Sequence, residues 1–194
     1  MNAVAESIPP SLASARHRLS VADFQKMAET GILNENDRIE LIDGILVDMA
    51  PIGSRHASIV DCLVEALILA AEGKVLVRAQ GPLEIPRHSE PMPDLLLLKP
   101  RPDRYRRALP LPADVLLAVE VADSATVRDR DIKIPLYGKH GIPEAWLVDV
   151  GRRTVTVYTE PSALGYHSAR EISEGQVSPA CLPRAEVKIS FLFG

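Results

Sequence analysis

The chain has 194 residues, 46% of them hydrophobic and 25% charged, with a net charge of −4 and a pI of about 5.8. That length supports a sizeable core, and the absence of any run of 18 apolar residues argues against a membrane-spanning helix. The acidic balance excludes a protein that coats nucleic acid through an overall basic surface, but it allows an acidic metal site with a local basic rim.

The first 18 residues, MNAVAESIPPSLASARHR, lack the basic start and apolar run of a signal peptide and read as a disordered leader before a single domain over 19–194. Residues 20–29 predict a short helix, with Ser20 as cap, Asp23 at the capping-box position and Gly31 as stop. Residues 38–50, RIELIDGILVDMA, predict a hairpin turning at Asp43 and Gly44, with Glu40 and Ile42 on one face of its first strand. The clearest helix is 54–72, where Ile59, Leu63 and Leu67 form an apolar stripe at helical spacing. Ser54 is its expected cap, and His56 lies in its first turn. Short strands are expected at 74–79 and 83–86. Residues 93–98, PDLLLL, predict a strand buried on both faces.

The stretch 99–107, KPRPDRYRR, is a loop with five basic residues. Arg104, Arg106 and Arg107 are candidates for a phosphate backbone, and Tyr105 for stacking on a base, against the plainer reading of a solvated loop. Residues 115–121 form a second doubly buried strand, interrupted by Glu120. A helix follows and ends near His140, with its start obscured by Pro135. Strands are expected at 145–150 and 154–159. Residues 165–193 suggest one or two edge strands ending in the apolar KISFLF. Cys62 and Cys181 have no motif spacing and read as reduced thiols of a cytoplasmic protein.

The order of elements gives an α+β, or mixed α/β, fold: a central mixed sheet with a helix on each side and strand-rich caps at both ends. Its chemistry concentrates on two acids. Asp94 opens one apolar strand and Glu120 interrupts the next, a costly placement unless something pairs with them. Two converging carboxylates suit Mg²⁺ or Mn²⁺, which takes oxygen ligands and keeps several waters. The plainer alternative is a pair of acids satisfied by backbone or arginine. Lys133 has Asp129 at i−4, so an ordinary surface helix pair is its plain reading. His56 on an apolar stripe reads first as a satisfied core histidine, and second as a residue that faces phosphate or orients an acid. Trp146 and Tyr137 read as core. No glycine-rich phosphate loop, nucleophile elbow or cysteine-based zinc pattern occurs.

The segments IELIDG, APIGSRH, PDLLLL, AVEVADS and DRDIKIPLYGKHGIPEAWLVD, in that order, resemble the Uma-type family of restriction-endonuclease-like proteins in the PD-(D/E)XK nuclease superfamily. The similarity runs from about residue 20 to 191. It implies a restriction-endonuclease-like core and a Mg²⁺-dependent DNA endonuclease that hydrolyses phosphodiester bonds with metal-activated water. It makes Asp94 and Glu120 the metal-holding acids and Glu40 and His56 supporting residues. The lysine of that superfamily falls two residues after the second acid, where this chain has Ala122. The resemblance therefore implies that Lys133 takes over. Glu40 is either a further ligand or the partner of that lysine. By analogy, a homodimer cuts both strands. Two other readings stay open: a non-catalytic nucleic-acid-binding or assembly module on the same fold, and a metal-dependent hydrolase of RNA or small phosphodiesters.

Overall fold

The computed structural model describes residues 16–34, 36–122 and 129–194. Most of the expected leader and the turn at Asp123 and Ser124 lie outside these residues. The first helix, α1 (Val21–Glu29), is held by the expected capping box: the Asp23 N–H donates to Ser20 Oγ at 3.1 Å, and the Ser20 N–H to Asp23 Oδ2 at 2.8 Å. Strands β1 (Ile39–Ile42) and β2 (Ile45–Asp48) form the expected hairpin. Its turn needs two left-handed residues, and Asp43 (φ 51°) and Gly44 (φ 78°) supply them.

Six strands make the main sheet, in the order β3 (Leu76–Ala79), β4 (Leu95–Leu98), β5 (Val115–Ala122), β6 (Glu144–Asp149), β7 (Thr154–Ser162), β8 (Gly165–Ile172). The β5–β6 pair is parallel and its neighbours antiparallel, so the sheet is mixed. A parallel pair requires a crossover, and this one carries a π-helical turn (Asp129–Lys133) running directly into α3 (Ile134–Lys139).

The continuous apolar strands are explained by cover on both faces. Helix α2 (Ser54–Ala71) lays Ile59, Leu63 and Leu67 on one face, against Leu95, Leu97, Leu117, Val119 and Trp146. Ile134 and Tyr137 of α3 cover the other face, against Leu96, Ala118, Ala122 and Leu147. Glu120 belongs to this second face, because side chains two apart in a strand point the same way.

Four local expectations are corrected. Residues 83–86 are not a strand but an extended loop with one bridge, Ile85 to Ser89; Pro82 and Pro86 lack the N–H groups that a ladder needs. Helix α2 is capped by the Gly53 backbone without a side-chain bond, and Ser54 is its first helical residue. After the two-stranded β9 (Gln176–Val177) and β10 (Val187–Lys188), the apolar tail forms α4 (Ile189–Phe193), which packs Ile189 and Leu192 into the α2-side core rather than adding a strand. Finally, Tyr105 is buried, at 5% exposure. Its hydroxyl donates to the Lys99 carbonyl at 2.7 Å, and Arg101 and Arg78 lie against its ring at 4.5 and 5.4 Å. This ring pins the basic loop down and presents no face to a base.

Candidate active site

Sheet register builds the site. In the antiparallel β4–β5 pair, Leu95 faces Val119 and Leu96 faces Ala118. Continuing by one residue sets Asp94 opposite Glu120, at the C-terminal end of β5. Asp94 is fixed on both sides: Oδ2 accepts the Val121 N–H at 2.8 Å, and Oδ1 lies 2.9 Å from His56 Nε2 in the first turn of α2. His56 thus sits against an acid rather than among purely apolar neighbours.

Glu120 is 2% exposed and accepts bonds from two residues of the crossover. Lys133 Nζ sits 2.9 Å from each of its oxygens, and the Tyr137 hydroxyl donates to Oε1. The same Lys133 Nζ lies 2.9 Å from Oε1 of Glu40 on β1, which also accepts the Met92 N–H at 2.6 Å. Glu40 is thus ion-paired with the lysine. A bridge between Leu41 and Glu90 ties β1 to the segment leading into Asp94.

Lys133 is 3% exposed, which corrects the surface-pair reading. The π-helical turn feeds its side chain inward, and such turns recur at functional sites.

The electrostatics follow from burial. Desolvation pushes the Glu120 carboxyl well above the usual range; the Lys133 ammonium pulls it down, and Asp129, Asp94 and Glu40 push it further up. Burial also disfavours the charge on Lys133, but the Glu120 and Glu40 carboxylates outweigh it and hold the ammonium above its ordinary value. Burial, then Glu120, raises the Tyr137 phenol far above its normal value. Around neutral pH, Lys133 is thus a cation and Tyr137 a proton donor. Sequence reasoning placed Tyr137 in the core and missed its hydroxyl. The available signal was its i+4 spacing from Lys133, which puts both on one helix face.

Glu40, His56, Asp94, Glu120, Asp129 and Lys133 line one pocket of about 200 Å³. The basic loop does not reach it. Lys99 follows β4 at the Asp114 end of β5, roughly 16 Å from Asp94 at about 3.3 Å per residue. Arg104, Arg106 and Arg107 are not among its lining residues.

Asp94 and Glu120 offer oxygen atoms, the donor type a hard divalent cation takes. A carboxylate offers about four lone-pair directions, so Asp94 retains acceptor capacity beyond its two fixed contacts. Among the described residues no three His, Cys, Asp or Glu side chains form a ready cage.

A six-stranded mixed sheet covered on both faces, with paired acids and a buried lysine at the end of one strand, is a nuclease-like α+β core. The family described as "Uma2: Putative restriction endonuclease" matches residues 21–190, and the chain belongs to it. Among solved structures, a crystal structure described as a putative nuclease of DUF820 from Anabaena variabilis ATCC 29413 superposes with a TM-score of 0.73. It is 19% identical, over 90% of this chain and 97% of that one, a likeness of fold. No curated protein matches the chain. No helix among the described residues is long and apolar enough to cross a membrane.

Proposed function

We propose that the chain is a Mg²⁺-dependent DNA endonuclease, with Asp94 and Glu120 as metal-holding acids, Lys133 as electrostatic catalyst, and Glu40 and His56 as supporting residues. One observation carries the reading: carboxylates from β1, the start of β4 and β5 converge with a buried, charged lysine on a single pocket. A buried ammonium held by two acids is costly to assemble, and strongly perturbed groups cluster where chemistry is done.

A divalent cation at Asp94 and Glu120 supplies charge neutralisation at phosphoryl oxygens and acidifies water. The chain's own residues do the rest. His56 and the Val121 N–H fix the two oxygens of Asp94. Tyr137 and Lys133 fix Glu120, and Glu40 holds the ammonium in the pocket wall. There the ammonium stabilises negative charge as it grows on the phosphate, the place where a preorganised donor has most effect. A duplex seated at the site continues toward the far end of β4, where Arg104, Arg106 and Arg107 meet its backbone. A homodimer supplies one such site per strand.

The test is incubation of supercoiled plasmid with the purified chain in Mg²⁺ or in EDTA. The parent nicks or linearises DNA only with Mg²⁺, and Asp94→Asn loses that activity. Cleavage of RNA alone would move the reading to an RNA hydrolase, and no cleavage of duplex DNA, single strands or RNA would favour a binding module.

A further inference from the structure

Beside the pocket just described lies a second hollow, of about 220 Å³, against Asp37, Ile39 and Gln80. Arg38, Met49, Met92 and Asp94 line both hollows. The two compartments therefore adjoin along the β1–β2 hairpin, with Asp94 at their junction. Charge is unequally distributed around them. Lys133 is committed to Glu40 and Glu120, and His56 to Asp94. Arg38 is exposed, and among the described residues no carboxylate pairs with its guanidinium. Among the described residues it is thus an uncommitted permanent cation at the junction, and a guanidinium fork matches a phosphate's oxygens in a way a point charge does not.

We infer that the second hollow is a subsite for the nucleotide next to the reacting phosphate, and that Arg38 grips the phosphate between them. This rests on the nuclease reading and sharpens it. A small phosphodiester needs one compartment, whereas a polynucleotide strand runs through two. The substrate is accordingly a nucleic-acid strand, threaded past Asp94. Met49 and Met92 give the junction pliable apolar walls that pack against bases without selecting among them. Arg38 immediately precedes β1, two residues before Glu40, so the hairpin that anchors the catalytic lysine also positions the strand.

The experiment measures binding of a fluorescein-labelled single-stranded oligonucleotide by anisotropy across a salt series, with Ca²⁺ in place of Mg²⁺. Arg38→Ala is expected to bind about 10-fold more weakly, with its log–log salt slope reduced by about 1, the signature of one lost phosphate contact. Arg38→Lys is expected to restore the slope but only part of the affinity. Melting temperatures unchanged in both variants exclude a folding effect at this exposed position. Equal affinity and slope for Arg38→Ala and the parent overturn the inference, as does a parent that binds no oligonucleotide. A parent that binds through Arg38 but cleaves nothing leaves the subsite standing while the endonuclease reading falls.

Discussion

Removing the charge of Lys133 is expected to destabilise the fold in a pH-dependent way. Its ammonium lies 2.9 Å from Glu40 and from Glu120, both almost fully buried. At that separation each pair is worth about 6 kcal/mol with an effective dielectric of about 20, set against a desolvation penalty of several kcal/mol per ion. The intact triad is therefore near balance. Taking out only the cation strands two buried carboxylates, which costs about 3–5 kcal/mol. Lys133→Met keeps the volume and removes the charge. Without the cation, the Glu120 carboxyl, already raised by burial, loses the charge that pulls it down and rises further above its unfolded value. Stability tied to such a raised pKa is present below the unfolded value and lost as pH rises through the folded one. The variant's deficit is thus largest at pH 8 and shrinks toward pH 5. Adding Glu40→Gln and Glu120→Gln removes the stranded charges and returns stability to within about 2 kcal/mol of the parent. Urea titrations followed by circular dichroism at the two pH values measure this. A loss under about 1 kcal/mol at pH 8, or an equal loss at both, would refute the reasoning.

Three further outcomes are expected. Tyr105→Ala should cost about 3–5 kcal/mol in the same titrations, because it empties the space under the Arg101 and Arg78 guanidiniums. His56→Ala should lower Mn²⁺ affinity about 10- to 100-fold by calorimetry, the usual cost of losing a group that orients a ligand. Arg104→Ala combined with Arg106→Ala should lower the salt slope for a long duplex by about 2 and leave that for a short oligonucleotide unchanged, since neither residue lines the pocket.

The sheet and its cover were legible because their signals are local. LLLL and LLAVEV announce burial on both faces, and Asp43 with Gly44 announces a turn that few other dipeptides make. Asp94 and Glu120 were visible as charges out of place in apolar strands. Their convergence followed from register, which the sequence pattern of adjoining strands constrains. The crossover was harder to read. Asp129 at i−4 gave Lys133 a surface partner as plausible as its buried ones, and Pro135 hid where the helix begins. The π-helical turn that redirects the lysine has no simple periodicity. Tyr137 fitted an apolar stripe through its ring, while the partner of its hydroxyl lies 17 residues away in the chain. Tyr105 misled for the converse reason: among five basic residues it suggested stacking on a base, yet it stacks on the arginines of its own neighbourhood. The apolar tail, too short to carry a period, became a helical turn because the α2-side core had room for Ile189 and Leu192.

The central claim is that Asp94 and Glu120 together hold a divalent cation beside Lys133. Crystals soaked in Mn²⁺ and measured at a wavelength where manganese scatters anomalously test it directly. The account predicts one strong anomalous peak within about 2–2.5 Å of carboxylate oxygens of both Asp94 and Glu120, and its loss in Asp94→Asn. A peak on another cluster, or none at this pocket in well-soaked crystals, would contradict it.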